Sequence, residues 1–167
     1  AAILIAFNTC CGAEIVDLTI FNSRLWDKTQ VIQEAAEIST NQYPNADTIM
    51  VCDFTCDYYQ PDGAYVSWSD TYEKVLTEKG KRAKQTLALS YNEAYTSWDV
   101  LTLEIIRPDG RITALDIAAN SKIMIDRSQM SANIYDPADK ILQIGLPGVE
   151  IGDIIHLTAA CNNHKPR

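Results

Sequence analysis

Hydrophobic and polar positions alternate most cleanly over residues 47–59. Met50, Cys52, Phe54, Cys56 and Tyr58 interleave with Val51, Asp53, Thr55, Asp57 and Tyr59. One face is apolar and the other mostly polar, the mark of a half-buried antiparallel strand. Gln60-Pro61-Asp62-Gly63 follows. Proline presets φ at the first central position of a turn, and glycine accepts the left-handed conformation that closes it. A hairpin is therefore expected, returning over residues 64–76. Arg107-Pro108-Asp109-Gly110-Arg111 repeats the Pro-Asp-Gly turn between an apolar run at 98–106 and a return at 112–115. Residues 87–91, 123–125 and 141–144 are further strand candidates. Leu146-Pro147-Gly148-Val149-Glu150-Ile151-Gly152-Asp153-Ile154-Ile155 then holds a turn at Pro147-Gly148 and a second turn or bulge at Gly152-Asp153. A strand is expected to leave it through Ile154, Ile155 and Leu157, with His156 upon it.

The pattern changes period only once. Val31, Ile32, Ala35, Ala36 and Ile38 recur at helical spacing, which predicts a helix over 28–39 with a packing face. Asp27 is its expected N-cap and Gln30 stands at the capping-box position. Asn41 and Pro44 stop it. Glu78-Lys79-Gly80-Lys81-Arg82 and residues 135–140 read as turns. Lys81, Arg82 and Lys84 form the basic cluster of the chain and read as a solvated face. Residues 162–167 read as a polar end without regular structure.

Composition narrows the class. The 167 residues are 47% hydrophobic, enough for one domain with a real core. The net charge of −8 argues against nucleic acid and anionic membranes as partners, because both call for a basic surface. Residues 1–13 carry no charge and begin Ala-Ala-Ile-Leu-Ile-Ala-Phe. They read as the apolar part of a signal peptide with its basic start missing, with small residues at Cys11-Gly12-Ala13 allowing cleavage before Glu14. The competing reading is a short buried strand over residues 3–7. The run is too short to span a membrane, which takes about 20 apolar residues.

Candidate chemistry is sparse. Of the five cysteines, Cys52 and Cys56 share one strand, with Cα atoms about 13 Å apart, too far for a disulfide. They read as core thiols. A cysteine-enzyme triad needs a thiolate, a base and an orienting acid, and the chain offers only His156 and His164. Cys161 with His164 is the available pairing, but no helix start is at hand to activate the thiol. The same two residues supply half of a zinc site. Asp53, Asp57 and Asp62 line one hairpin without the spacing of a calcium loop. Trp26, Trp68 and Trp98 are candidates for a sugar or peptide platform, with core packing as the blander reading. On these grounds no catalytic, cofactor-binding or metal-binding residue is assigned.

Five segments in order carry a family resemblance: Tyr43-Pro44-Asn45-Ala46-Asp47; Asp62-Gly63 between strands, with Val75-Leu76-Thr77-Glu78-Lys79-Gly80; Ile106-Arg107-Pro108-Asp109-Gly110; Tyr135-Asp136; and residues 146–155. Together they resemble the DUF3857 domain of secreted bacterial proteins. The resemblance implies a β-rich, sandwich-like fold that accompanies a transglutaminase-like domain, with no assigned catalytic residues. It also implies further strands after Ile155, so the chain reads as a truncated fragment.

The expected architecture is a mainly β, antiparallel β-sandwich-like domain, incomplete, with a short N-terminal helix. The expected division is a signal remnant at 1–13, a helical lead-in at 14–42 and the β domain at 43–167. The expected function is a non-catalytic extracytoplasmic module, periplasmic or secreted, that packs on a transglutaminase-like or peptidase-like domain in cis or binds substrate for it. The alternatives are a part of a cysteine enzyme, or a glycan- or peptide-binding sandwich. No cofactor is expected.

Overall fold

The computed structural model describes residues 21, 23–127 and 136–165. The signal-peptide reading of residues 1–13, Cys10, Cys11 and the turn residue Tyr135 lie outside them. Eight strands form two antiparallel sheets among the described residues: β1 (Thr48–Tyr59), β2 (Tyr65–Val75), β3 (Thr86–Asn92), β4 (Thr96–Ile106), β5 (Ile112–Ala114), β6 (Ser121–Ile125), β7 (Asp139–Gly145) and β8 (Ile154–Asn163). The larger sheet runs β1-β2-β8-β4-β5 and the smaller β3-β7-β6. The antiparallel strands are those that the alternation predicts, and the sandwich-like arrangement is the one that the family resemblance implies.

Both Pro-Asp-Gly turns close hairpins. Gly63 and Gly110 adopt φ of 88° and 82°, the left-handed region that a β-carbon disfavours. Asp62 and Asp109 each accept the amide two residues on, from Ala64 and Arg111, as short polar turn residues do. β1 pairs with β2 throughout, with one bulge between Met50 and Cys52. That bulge breaks the alternation, so Met50, expected on the apolar face, is 48% exposed while Cys52 is buried.

The larger sheet has two covered faces. One packs on the smaller sheet through Val75, Leu103, Ile105, Ile144, Leu146, Val149 and Ile155. The other receives helix α1 (Lys28–Glu37). There Val31 and Ala35 meet Cys52, Tyr72, Ile106 and Ile154, and Phe21 stacks on Trp68 with ring centroids 5.5 Å apart. Asp27 caps α1 by accepting from the amides of Thr29 and Gln30. The capping box does not close, because the Gln30 side chain donates forward to Glu34 instead. The helix ends at Glu37, where the Ile38 amide donates back to the Ala35 carbonyl, and Lys74 Nζ reaches the carbonyls of Ala35 and Ile38 at 2.6 and 2.8 Å, a cation at the helix C-terminus.

Three expectations are corrected. Residues 78–82 are not a turn but the start of helix α2 (Glu78–Ala83), capped by Thr77 through the Gly80 amide. Gly80 lies so close to β1 that a β-carbon there would sit 2.1 Å from the Asp47 carbonyl oxygen. Within α2 Lys79 pairs with Asp47 and Lys81 with Glu150, and Lys84 at its C-terminal cap pairs with Glu73. A short helix α3 (Ile117–Asn120) joins β5 to β6, where no element was expected. Finally, β8 does not stop near Leu157. It continues to Asn163 and is paired on both sides, with β2 and with β4.

Candidate functional site

Alternation along β8 directs Ile154, His156, Thr158 and Ala160 to the face beneath α1. Register carries Tyr72 opposite His156 on one side and Glu104 opposite it on the other. Asp70, opposite Thr158, completes the group. The sheet thus brings two carboxylates and an imidazole together beneath α1, with the Tyr72 ring beside them.

His156 is 6% exposed and Asp70 1%. Nε2 of His156 lies 2.9 Å from Asp70 Oδ1, and Nδ1 lies 2.9 Å from Glu104 Oε2. Thr158 Oγ1 is 3.2 Å from Nε2 and 3.4 Å from Asp70 Oδ1. Lys28, at the start of α1, donates to Glu104 at 2.6 Å, and the Trp26 amide donates to Asp70 Oδ2 at 3.2 Å. Tyr72 stacks on the imidazole, 4.1 Å between centroids and 6° between planes. Burial raises the Glu104 carboxyl, but hydrogen bonds and charge from Lys28 and His156 outweigh it and hold the group below its ordinary value. Burial, with the Asp70 and Glu104 charges, pushes the Tyr72 hydroxyl well above the ordinary tyrosine range.

Thr158, His156 and Glu104 superficially reproduce a hydroxyl–imidazole–carboxylate line. A base in that line needs a lone pair on the nitrogen facing the hydroxyl. Here the same nitrogen faces the Asp70 carboxylate. Both ring nitrogens are thus engaged by carboxylates, and Nε2 is shared between Asp70 and the Thr158 hydroxyl. Thr158, itself 5% exposed, is sealed from solvent.

A second buried acid holds the turns together. Asp153 is 1% exposed. Its Oδ2 accepts from the Glu150 amide at 2.7 Å and from Arg107, whose other terminal nitrogen reaches the Gly148 carbonyl at 2.8 Å. Burial raises the Asp153 carboxyl above its ordinary value. The turn at Arg107-Pro108 is thereby fastened to the stretch that launches β8.

The candidates from the sequence are scattered. Cys161 lies on β8 opposite Ser67 and Trp98, on the face away from His156, and burial pushes its thiol up rather than down, which disfavours the thiolate. His164 donates its amide to the Tyr95 carbonyl. Cys52 is buried in the core beneath α1, and Cys52, Cys56 and Cys161 are free thiols. Among the described residues no three His, Cys, Asp or Glu side chains are grouped to hold a metal. The tryptophans make no common platform. Trp68 is buried under Phe21, Trp26 is 45% exposed beside α1, and Trp98 donates its indole N–H to Ser90 of the smaller sheet. The buried Asp70–His156–Glu104 group escaped sequence reasoning. Its one signal is a polar residue in an apolar register: Asp70 between Trp68 and Tyr72, and His156 two residues beyond Ile154.

Among solved structures, the fold matches a crystal structure of a proposed protease from Parabacteroides distasonis ATCC 8503, with a TM-score of 0.63 and 15% identity over 72% of this chain. This chain spans 24% of the length of that protein. A weaker match is the CBM3a-L domain of scaffoldin cipA from the Clostridium thermocellum cellulosome, at a TM-score of 0.38 and 13% identity, covering 71% of this chain and 68% of that one. No curated protein matches. Among the described residues no helix is long and apolar enough to cross a membrane. The model of DUF3857, a domain of unknown function with solved structures, matches residues 61–167, and the chain belongs to that family.

Proposed function

We propose that this domain is a non-catalytic accessory module of a longer extracytoplasmic protein, one that packs on a transglutaminase-like or peptidase-like domain or binds a polypeptide for it. The observation that carries the reading is the occupation of both His156 nitrogens by carboxylates. A histidine so placed ties β8 to β2 and β4, and the Thr158 hydroxyl beside it is buried away from any substrate. The other candidate nucleophile, Cys161, is disfavoured as a thiolate by its burial. The roughly threefold greater length of the matched protein, of which the match covers 24% against 72% of this chain, fits a module that works beside other domains. The uncharged start of the sequence supports export.

The test is turnover. The chain is incubated with chromogenic esters, peptide amides, and a glutamine donor with an amine acceptor. No turnover above buffer is expected. Turnover abolished by Cys161→Ser or His156→Gln overturns the reading.

A further inference from the structure

β1 is the outermost strand of the larger sheet, and among the described residues nothing pairs with its outer edge. Its bulge lies between Met50 and Cys52, and residues 52–59 keep one unbroken register with β2. That leaves a regular row of backbone donors and acceptors facing outward. We propose that this edge is a strand-addition site for an extended polypeptide in which apolar and basic residues alternate. The proposal rests on the accessory-module reading and names the class of partner.

The two faces of β1 specify the partner. Phe54, Cys56 and Tyr58 share the face of Val66 and Trp68, and Tyr58 is 49% exposed. Asp53, Thr55, Asp57 and Tyr59 stand exposed on the opposite face. Residues 48–64 contain no Lys or Arg. Neither Asp53 nor Asp57 joins an ion pair among the described residues. A strand laid along the edge alternates its own side chains between these faces. Side chains directly opposite come within about 5 Å at Cβ. One set would therefore meet Phe54 and Tyr58, and the other Asp53 and Asp57. Backbone pairing supplies attraction, and the alternating side chains supply selectivity.

Charges and bulges on an edge also guard against unwanted pairing. Here that guard is selective. The bulge stands before Cys52 and leaves the rest of the strand regular. Asp53 and Asp57 repel a second copy of β1, because like charges opposed across strands destabilise. The same carboxylates attract a basic strand, so repulsion of one partner and attraction of the other act together.

The test compares three fluorescent peptides on the intact chain: alternating Val-Lys, alternating Val-Glu, and Val-Lys interrupted by proline. Anisotropy should show the Val-Lys peptide binding roughly tenfold more tightly than Val-Glu, the weight of two cross-strand charge pairs changing sign. The proline peptide should fail, since it cannot complete the ladder. The double variant Asp53→Lys/Asp57→Lys should reverse the preference with an unchanged urea midpoint, as both sites are exposed. Amide NMR shifts should centre on residues 52–59. Equal binding of all three peptides, shifts elsewhere, or no binding overturns the proposal. A chain that binds none of them and shows no turnover sinks the edge site and leaves the accessory reading standing.

Discussion

The two faces of the larger sheet are built on different principles. Towards the smaller sheet, Leu103, Ile105 and Ile155 pack with Ile144, Leu146 and Val149, and the contact is apolar. Such burial is strong and indifferent to direction. Towards α1, the sheet places Asp70, His156 and Glu104 among Tyr72, Ile106 and Ile154. Two carboxylates meet an imidazole ring and the Lys28 ammonium, and the hydrogen bonds admit few other arrangements. Replacing buried ion pairs by apolar residues is often neutral or stabilising. The charged face is therefore explained by where it holds α1, β2, β4 and β8 rather than by stability alone.

Breaking that contrast has its largest effect at His156. His156→Leu leaves Asp70 and Glu104 facing an apolar side chain and should cost about 3–5 kcal/mol, read from urea unfolding. Replacing all three by leucine should recover much of that loss. A triple variant as unstable as the single one would show that geometry, not uncompensated charge, sets the cost. On the apolar face, Leu103→Ala should cost about 3 kcal/mol, with no rescue by any second substitution nearby. The two series together separate a charge effect from a cavity effect.

The charged face should also respond to acid. Glu104 titrates below its ordinary value in the folded chain. The stabilisation it provides is therefore complete above the usual glutamate range and is lost as pH falls through the lowered value. Between about pH 5 and pH 3, stability should fall more steeply in the native chain than in Glu104→Gln. Parallel curves would remove Glu104 from the network. The smallest effects belong to the attachment of α1. Asp27→Ala should cost about 1 kcal/mol by loss of the N-cap. Lys28→Met should cost less than about 1 kcal/mol, since that ammonium is partly solvated. Both should appear first as faster amide exchange within α1.

The sequence makes the strands and turns legible because alternation and Pro-Asp-Gly chemistry are local. β1, β2 and both hairpins follow from residues that touch one another along the chain. Helix α2 was less legible. Gly80 and its charged neighbours read as a turn, while the Thr77 cap and the contact with the Asp47 carbonyl exist only in the fold. The full length of β8 was hidden for a similar reason. Residues 158–163 are small or polar, and only pairing on both sides keeps them extended. The buried cluster was least legible, because His156 meets partners 86 and 52 residues away. Asp70 follows Val66 and Trp68 on one face of β2, and Glu104 stands between Leu103 and Ile105 in β4, each a local polar break. Their common meaning depends on register, which no local pattern reports.

The central place of β8 also sets an order of assembly. β2 and β4 meet only through it, and β8 follows both in the chain. The β1–β2 and β4–β5 hairpins can form early from near neighbours. The sheet that unites them must wait until residues 154–163 arrive. Non-local pairing of this kind closes large loops and folds slowly. A chain emerging from the ribosome would thus hold two separate hairpins until residues 154–163 follow them.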